Sequence, residues 1–439
     1  MYFLIPYRPC RTLRLFGELK SFLILWFTQL LSTLGSSMTS FALVLWSYQD
    51  RGSALTTALL SVCSYAPYVL VSIFAGALSD CWNKKATMLC CDTFAALCTS
   101  TVLLLAASGQ LHMWHLYLLN GLTGLMNTVQ QPAADVAVTL LTPEKHYQRV
   151  SGLRSLSYSL NNMLAPALGT ALYTLLGLEW VILFDLATFL LAFCSLLLFI
   201  PIPQGPKPER TESLLRSTQA GLRYLGENRG ILNLILFLAA INLTASMFNA
   251  ALPALALTRP WGGENVLGLV QSVSGVAMLG GSIAASLLPA PKSRVRVICN
   301  TLLLAMSTEN FILALGRDLS LWCVGAALGW VGIPIMNANL DALFRSRIPV
   351  DIQGRVYAAR NSFQFFTIPV GYLLGGFLVD QVFEPLAAAL GPDSLWAALF
   401  GTGKGAGAAG LFLAMGFLGV ATCLLFRRDK RIWALECQG

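Results

Sequence analysis

Charged side chains are scarce in this sequence. They make up 11% of the 439 residues, whereas hydrophobic side chains make up 56%. A soluble domain carries roughly 25% charged residues, so this chain has too few to cover the surface of a globular core. Its apolar residues instead form runs of about 20 residues, the length at which a helix crosses a bilayer. The ~10-residue alternating segments of a membrane β-barrel are missing. The sequence therefore predicts an all-α integral membrane protein.

The residue spacings of metal, redox and catalytic sites are also missing. The 11 cysteines are scattered, without a CxxC pair or a zinc-ligand spacing. His112 and His115 flank Trp114 at a predicted helix boundary, where an interfacial aromatic belt is favoured over a metal pair. Residues 401–405 lack the spacing of a phosphate-binding loop. No nucleophile–base set emerges, so we expect no enzyme activity, no cofactor and no bound metal.

Twelve apolar runs are long enough to be membrane helices. They lie at residues 21–47, 55–79, 86–108, 114–141, 151–175, 180–200, 231–257, 266–289, 297–315, 320–344, 356–380 and 406–426. Four basic residues, Arg8, Arg11, Arg14 and Lys20, come before the first run. A full-length apolar run after basic residues is typical of a cytoplasmic N-terminus and not of a cleaved signal peptide.

Basic residues concentrate in alternate connections between these runs. With the N-terminus inside, the cytoplasmic segments hold 23 Lys and Arg residues, and the outside segments hold 4, namely Arg51, Arg259, Arg317 and Lys404. Lys and Arg accumulate on the cytoplasmic side of membrane proteins. The net charge of +8 therefore indicates membrane topology and not nucleic-acid binding. We predict a multi-pass protein of the cytoplasmic (plasma) membrane with both termini inside.

A proline-rich stretch after the sixth run divides the chain. We predict a cytoplasmic N-terminal segment, a first six-helix bundle, a cytoplasmic linker, a second six-helix bundle and a cytoplasmic tail, at residues 1–20, 21–200, 201–230, 231–426 and 427–439. Within the linker, residues 211–226 have an apolar and a basic face, which favours an amphipathic surface helix, although a solvated linker helix fits nearly as well. The connection 381–405 is long and rich in Gly and Ala.

The two halves of the chain share one sharp repeat. The pattern D-x7-P-x5-R-V-x3-R occurs twice, at an offset of 206 residues, as Asp135, Pro143, Arg149, Val150 and Arg154, and again as Asp341, Pro349, Arg355, Val356 and Arg360. Each copy covers the inner end of one predicted helix, the following short loop and the start of the next helix. Parallel repeats of six helices related by an axis along the membrane normal are a known transporter architecture.

Two further stretches resemble a known family. Residues 74–85, F-A-G-A-L-S-D-C-W-N-K-K, resemble the signature between helices 2 and 3 of the major facilitator superfamily. Residues 353–357, with Pro369, Gly371, Gly375 and Asp380 after them, are similar to the branch of macrolide-efflux proteins and enterobactin exporters. The resemblance implies a monomeric secondary transporter of twelve helices in two pseudo-symmetric six-helix bundles. Cys81 departs from the signature, which has a basic residue there.

The signature resemblance also implies a gate. Asp80 ends the second predicted helix, and Asn83 suits the sharp turn after it because Asn tolerates positive φ. By resemblance, the Asp80 carboxylate faces the start of helix 11 near Arg355 and forms a latch between the halves; a static loop cap is the alternative. We predict that the gating residues are Asp80, Asn83, Lys84, Lys85, Arg149, Arg154, Arg355 and Arg360.

Acidic residues inside the predicted helices are candidates for ion coupling because a carboxylate in a membrane is costly. Asp135 and Asp341 would either couple transport to protons or form ion pairs with Arg154 and Arg360. Glu309 lies in the ninth helix, which by resemblance is outside the central cavity, so we expect a packing role. For Asp92 and Asp185 we expect structural roles.

Polar amides on the predicted helices are candidates for contact with a substrate. They are Asn127, Gln131, Asn161, Asn242, Asn249, Gln271 and Asn337, and hydrogen bonding between helices is the alternative for each. We predict a proton-coupled exporter of an amphipathic small molecule, such as a drug, a siderophore or a metabolite, that works by alternating access. A lipid or lysolipid flippase on the same fold and a non-transporting membrane enzyme or receptor remain alternatives.

Overall fold

Helix makes up nearly all of the described chain. The computed structural model describes residues 11–143, 146–203, 222–289 and 291–437. Within these ranges it does not describe the side chains of residues 11–18, 72–81, 148, 350–355, 358, 359 and 437. Within these ranges there is no β-strand. The predicted all-α class is therefore confirmed.

Each of the twelve predicted runs corresponds to one long helix. The N-terminal half contains α1 (Arg11–Arg51), α2 (Ala54–Cys81), α3 (Lys84–Ala107), α4 (Met113–Leu141), α5 (Tyr147–Leu176) and α6 (Leu178–Phe199). The C-terminal half contains α7 (Arg229–Thr258), α8 (Glu264–Leu287), α9 (Arg294–Leu315), α10 (Leu319–Arg347, interrupted at Gly332), α11 (Val350–Leu378) and α12 (Ala406–Arg427).

Ten of these helices are, over the described residues, long and apolar enough to cross a membrane, and α4 and α5 are the other two. In α4 the hydropathy falls because polar residues recur along one side. Three of them, Asn120, Asn127 and Gln130, line a cavity inside the N-terminal half. In α5, Asn161 and Asn162 line a cavity between the halves. Side chains that face protein cavities need not be apolar, and α4 and α5 lose hydropathy for that reason.

The two halves pack alike. In the N-terminal half α2 packs on α4, α1 on α5 and α6, and α3 on α4 and α6. In the C-terminal half α8 packs on α10, α7 on α11 and α12, and α9 on α10 and α12, which is the same set of pairs six helices later. Between the halves, α2 packs on α11 and α5 packs on α8. Replacing each helix by its counterpart in the other half turns the first of these pairs into the second. The fold is therefore two pseudo-symmetric six-helix bundles.

Over the described side chains, the apolar core joins the halves at one end of the molecule. We call the end where α1 begins and α12 finishes the termini end, and the other the opposite end. Near the opposite end, Phe41 and Leu45 of α1 share one buried cluster with Phe248 and Leu252 of α7. Near the termini end, the buried clusters of the described residues each belong to a single half. Among the residues whose side chains the structure describes, buried apolar clusters therefore join the halves at the opposite end and not at the termini end.

The connection 381–405, for which the sequence predicted no conformation, is largely helical. After a π-helical turn (Val379–Phe383) the chain forms two short helices, Glu384–Leu390 and Leu395–Phe400. The alanines of this connection are strong helix formers. Glu384 then caps α12, because its Oε1 accepts hydrogen bonds from the N–H groups of Gly405 (2.9 Å) and Ala408 (3.1 Å).

Two predicted segments fall mostly outside the described residues. These are the first half of the N-terminal segment, residues 1–10, and most of the predicted amphipathic helix at 211–226. Residues 222–227 are described and are helical. The tail contains a short helix, Lys430–Cys437, in which Glu436 Oε1 accepts a hydrogen bond from the N–H of Val295 (2.7 Å). The tail thereby holds the start of α9.

Candidate substrate cavity and its gates

A cavity of about 440 Å³ lies between the two halves. Its wall combines residues of α1, α2 and α5 with residues of α7 to α11. Amide, hydroxyl and aromatic groups line it, including Asn161, Asn249, Gln271, Tyr65 and Tyr372. No Lys, Arg or His occurs among the described residues of this wall. We call this space the central cavity; it offers hydrogen bonds and aromatic surface to a small molecule.

Helices α1 and α5 present polar groups to the central cavity at helical spacing. Ser37 and Ser40 lie three residues apart on α1 and therefore on one face. Asn161 of α5 donates from Nδ2 to Ser37 Oγ at 2.8 Å. Its Oδ1 is buried and has no hydrogen-bond partner. A buried acceptor without a partner is costly, so this wall of the cavity is suited to a substrate that carries a donor group.

Glu309 of α9 also lines the central cavity, although we expected the ninth helix to lie outside it. The reason is a gap in α10: Gly329 has no side chain, and a Cβ there would lie 2.7 Å from Cβ of Glu309. Glu309 reaches through this gap and is only 6% exposed. Its Oε1 accepts a hydrogen bond from Nε1 of Trp330 at 2.9 Å. The central cavity thus has one carboxylate in its described wall.

At the opposite end, a carboxylate of one half caps a helix of the other. Ser53 is the N-cap of α2, and Asp380, just beyond α11, accepts from its hydroxyl at 2.6 Å. The same carboxylate accepts from the N–H groups of Ala54 (3.1 Å) and Leu55 (2.9 Å). A negative charge is stabilised at a helix N-terminus, where N–H groups have no partners within the helix. Asp380 therefore fastens the halves together at this end.

Close helix packing extends this closure. Helices α2 and α11 meet through the stacked rings of Tyr65 and Tyr372, whose centroids are 6.3 Å apart. Helices α5 and α8 meet through glycine: a Cβ added to Gly275 would lie 2.5 Å from Cα of Met163. The side chains of Gln49 and Glu264 also form a hydrogen bond between α1 and α8. These contacts close the central cavity toward the opposite end.

Toward the termini end, a gap of about 900 Å³ separates the halves. It lies between α4 and α5 on one side and α8 and α10 on the other. Met278 lines both this gap and the central cavity, so the two spaces are neighbours. The gap therefore lies on the termini side of the central cavity.

The two repeated Asp–Arg pairs form ion pairs, one in each half. Asp135 of α4 contacts Arg154 of α5, and both side chains are nearly half exposed. Asp341 Oδ1 of α10 lies 3.6 Å from Nη1 of Arg360 of α11. Arg154 borders the gap, and none of the four residues lines the central cavity. Each pair joins two consecutive helices of its own half.

The amide side chains that we predicted to contact a substrate do not all line the same cavity. Asn161, Asn249 and Gln271 line the central cavity, and Asn337 lines the gap. Asn127 and Gln131 line a different cavity, inside the N-terminal half. Asn242 is half-buried on α7 and lines none of the cavities described here.

Asn83 caps a helix, and the expected positive φ at this turn is wrong. Its φ is −66°, and its Oδ1 accepts a hydrogen bond from the N–H of Ala86 (3.1 Å) at the start of α3. Lys85 donates from Nζ to the carbonyl oxygens of Leu197 and Ile200 at the end of α6, both at 3.0 Å.

The remaining predicted gating residues are less informative. Lys84 donates to the carbonyl oxygen of Trp82 at 3.2 Å, and Arg149 is exposed near the start of α5. The side chains of Asp80 and Arg355, on which the predicted latch depends, lie outside the described residues.

Comparison with known proteins agrees with this architecture. The family model of the Major Facilitator Superfamily matches residues 25–366. The chain belongs to the major facilitator superfamily. It is a multi-pass membrane transporter and not an enzyme.

The similar proteins include efflux proteins. "Macrolide efflux protein A" of Streptococcus pyogenes is 22% identical over 367 residues, which cover 82% of this chain and 90% of that protein. "Multidrug efflux pump Tap" of Mycolicibacterium fortuitum is 24% identical over 375 residues, covering 82% and 89%. The crystal structure of a point mutant of the nucleoside transporter NupG superposes with a TM-score of 0.68 at 13% identity, covering 92% of this chain and 99% of that one. This likeness concerns the fold.

Two functional candidates were not predicted from the sequence, Glu309 as a cavity residue and Asp380 as the cap between the halves. For Glu309 the available signal was Gly329, since a glycine inside an apolar helix often marks close approach of another group. For Asp380 the signal was Ser53, a typical N-cap residue at the start of α2. Neither signal identifies the partner, because the partner lies on a helix far away in the sequence.

Proposed function

We propose that the protein exports amphipathic small molecules of the drug class from the cytoplasm by alternating access, driven by protons. The central cavity carries the proposal, since it lies between the halves, is closed at the opposite end and borders the gap toward the termini end. The named activities of the macrolide and multidrug efflux proteins support export. The excess of basic residues supports a cytoplasmic termini end. The described conformation then faces the cytoplasm, where an exporter takes up its substrate.

The cavity wall supports an amphipathic substrate. Tyr65, Tyr372 and Trp330 offer aromatic surface, and Asn249 and Gln271 offer amide groups. Pockets of this kind bind mainly through apolar contact, with a few polar groups that fix orientation. Glu309 is the one acid of the described wall, and no described basic residue lines it, which favours neutral or weakly cationic molecules.

Proton exchange fits Glu309 better than the two repeated aspartates. A coupling acid must be reached from the substrate cavity, and Glu309 lines that cavity. Asp135 and Asp341 instead form ion pairs with Arg154 and Arg360, and both aspartate side chains are about half exposed. We assign these pairs to the gate, where each holds two consecutive helices of one half together as the halves move.

Substrate binding is tested with two asparagines of α7 that lie seven residues, about two turns, apart. Asn249 lines the central cavity, whereas Asn242 does not. Binding of tritiated erythromycin and of tritiated tetraphenylphosphonium is measured on the purified full-length protein. We expect Asn249→Ala to weaken binding of at least one probe about two- to tenfold, the range for one lost hydrogen bond. We expect Asn242→Ala to bind like the wild type.

Two results count against the proposed function. Equal weakening by Asn249→Ala and Asn242→Ala would mean that binding occurs away from the central cavity. Movement of a fluorescent phospholipid between leaflets of proteoliposomes, without binding of either probe, would favour the flippase alternative.

A further inference from the structure

Exposed basic side chains surround the short helix of the tail, Lys430–Cys437, which we call the tail helix. Two lie at the end of α12, two in the first turn of the tail helix, one at the start of α7 and two near the start of α9. We call this group the basic patch; its members are Arg427, Arg428, Lys430, Arg431, Arg229, Lys292 and Arg296. All seven side chains are exposed, so a partner from outside the chain can reach them.

The packing of the tail helix brings these residues together, because it lies across the starts of α7 and α9. At its first turn, a Cβ added to Gly230 of α7 would lie 2.6 Å from the carbonyl oxygen of Arg431. Near its end, Glu436 Oε1 accepts a hydrogen bond from the N–H of Val295 at 2.7 Å. The basic residues beside Gly230 and Val295 in the sequence belong to the patch. A helix of 8 residues is about 12 Å long, so the patch covers one small area.

The two acids of the tail do not neutralise this patch. Asp429 accepts hydrogen bonds from Asn233 Nδ2 (2.5 Å) and from the N–H of Arg431 (2.8 Å). Glu436 also accepts from the Ser293 hydroxyl at 2.8 Å, so both carboxylates are bound to neutral donors of the fold. No side chain of the patch forms an ion pair with a described acid. The seven bases outnumber these two acids, and the surface therefore attracts an anion.

The patch lies where the lipid-facing surface of α12 ends. Leu424 and Leu425 are 46% and 69% exposed, and Leu425 comes two residues before Arg427. Exposed leucines of a membrane helix face acyl chains. Trp433 of the tail helix is half-buried and donates from Nε1 to the carbonyl oxygen of Arg427 at 2.7 Å, and tryptophan is enriched at the level of the lipid headgroups. Apolar and basic surfaces therefore meet at that level.

We propose that the basic patch binds the headgroup of an anionic phospholipid, whose acyl chains lie along Leu424 and Leu425. Guanidinium and ammonium groups form charge-assisted hydrogen bonds with phosphate oxygens, and basic clusters beside a membrane helix attract anionic lipids. The general preference of basic residues for the cytoplasmic side accounts for the sign of these charges, whereas the contacts of the tail helix account for their closeness. A bound lipid would hold the tail helix on α7 and α9. This binding does not depend on the proposed transport activity.

The test measures thermal unfolding of the purified full-length protein in micelles that contain phosphatidylglycerol or phosphatidylcholine at equal mole fraction, and counts bound lipid by native mass spectrometry. A ligand that binds only the folded state stabilises it, so we expect phosphatidylglycerol to raise Tm more than phosphatidylcholine does. High salt should remove this difference in the wild type, because it screens exposed charges. The triple variant Arg428→Gln, Lys430→Gln and Arg431→Gln should bind phosphatidylglycerol more weakly by about tenfold or more.

The matched control is the triple variant Arg51→Gln, Arg317→Gln and Lys404→Gln, which removes three exposed bases of the opposite end and should keep the full effect of phosphatidylglycerol. Equal stabilisation of the wild type by both lipids, or loss of the effect in both triple variants, would overturn the site. Equal stabilisation by soluble glycerol phosphate would also overturn it, since the patch would then bind a free phosphate without the membrane.

Discussion

Glu309 sits on an outer helix and still reaches the central cavity, because Gly329 leaves a gap in the helix between them. Its hydrogen bond from Trp330 holds the carboxylate in the wall. The acid therefore borders the cavity in which we propose that the substrate binds. Its role is best tested by removing the charge while keeping the shape.

Glu309→Gln should abolish transport driven by a pH gradient and leave substrate exchange at equal pH measurable. The amide keeps an oxygen for Trp330 but cannot release a proton. Both activities are measured in proteoliposomes. Gradient-driven transport at the wild-type rate in this variant would place the coupling group elsewhere.

The ion pair of Asp135 with Arg154 predicts rescue by charge exchange. Asp135→Arg should lower transport because it places two positive groups together at the gate. The double variant Asp135→Arg with Arg154→Asp should recover most of it, since the pair is exposed and contributes only about 0.2–1 kcal/mol. A group that carries the transported proton would not tolerate this exchange, so failure of the double variant to recover would contradict the gate assignment.

The sequence predicts which residues share one face of a helix, but not which residues of other helices they contact. Asn127, Gln131 and Asp135 follow one another at intervals of four and do share a face of α4. Asn127 and Gln131 line the cavity of the N-terminal half and Asp135 pairs with Arg154. The helical period fixes which side chains point the same way, whereas the packing of other helices decides what they meet.

At the scale of the helices, the contact between α5 and α8 depends on glycine. Gly275 lies against Met163, but a Cβ added to Gly280 of the same helix meets nothing within 4 Å. Gly275→Val should therefore destabilise closure at the opposite end by about 1–3 kcal/mol, as overpacking does. Gly280→Val is the control and should not.

This prediction is checked by the distance between spin labels at two exposed positions of the opposite end, Gln110 and Asp393, on a background without native cysteines. The Gly275 variant should populate a longer distance that the Gly280 variant lacks. Identical distance distributions in the two variants would show that this contact does not control closure.

Helix α2 is held at its start by Asp380, and the resemblance to the family places a second contact at its other end, at Asp80. Asp380→Asn should favour opening of the opposite end, since it removes a charged cap contributing about 1 kcal/mol. Asp80→Asn should favour opening of the termini end. The same label pair should report longer distances for the first variant only; a shift in the same direction for both would refute the opposed roles.

The helices themselves were predictable from apolar runs, but their breaks were not. The predicted tenth helix is interrupted at Gly332, and the connection 381–405 forms short helices that were not predicted. Composition cannot distinguish an alanine-rich loop from a helix whose end is capped by a distant residue. Here that residue is Glu384, which caps α12.

At the scale of the whole molecule, the repeat of Asp135 and Arg154 as Asp341 and Arg360 already indicated two related halves. The equivalent helix pairs of the two bundles confirm that architecture. The closure at the opposite end could not be predicted, because neither the apolar runs nor the repeat indicates at which end the halves meet. It becomes visible only in the cluster that joins Phe41 of α1 to Phe248 of α7.

Export driven by protons is tested most directly by flux into proteoliposomes in which the termini end faces outward. Labelled erythromycin and labelled tetraphenylphosphonium are supplied outside, and the interior is made acidic. We predict uptake of at least one probe that collapses when a protonophore removes the gradient, together with a loss of uptake in Asn249→Ala but not in Asn242→Ala. Uptake that is indifferent to the pH gradient, or equal in both asparagine variants, would contradict the account.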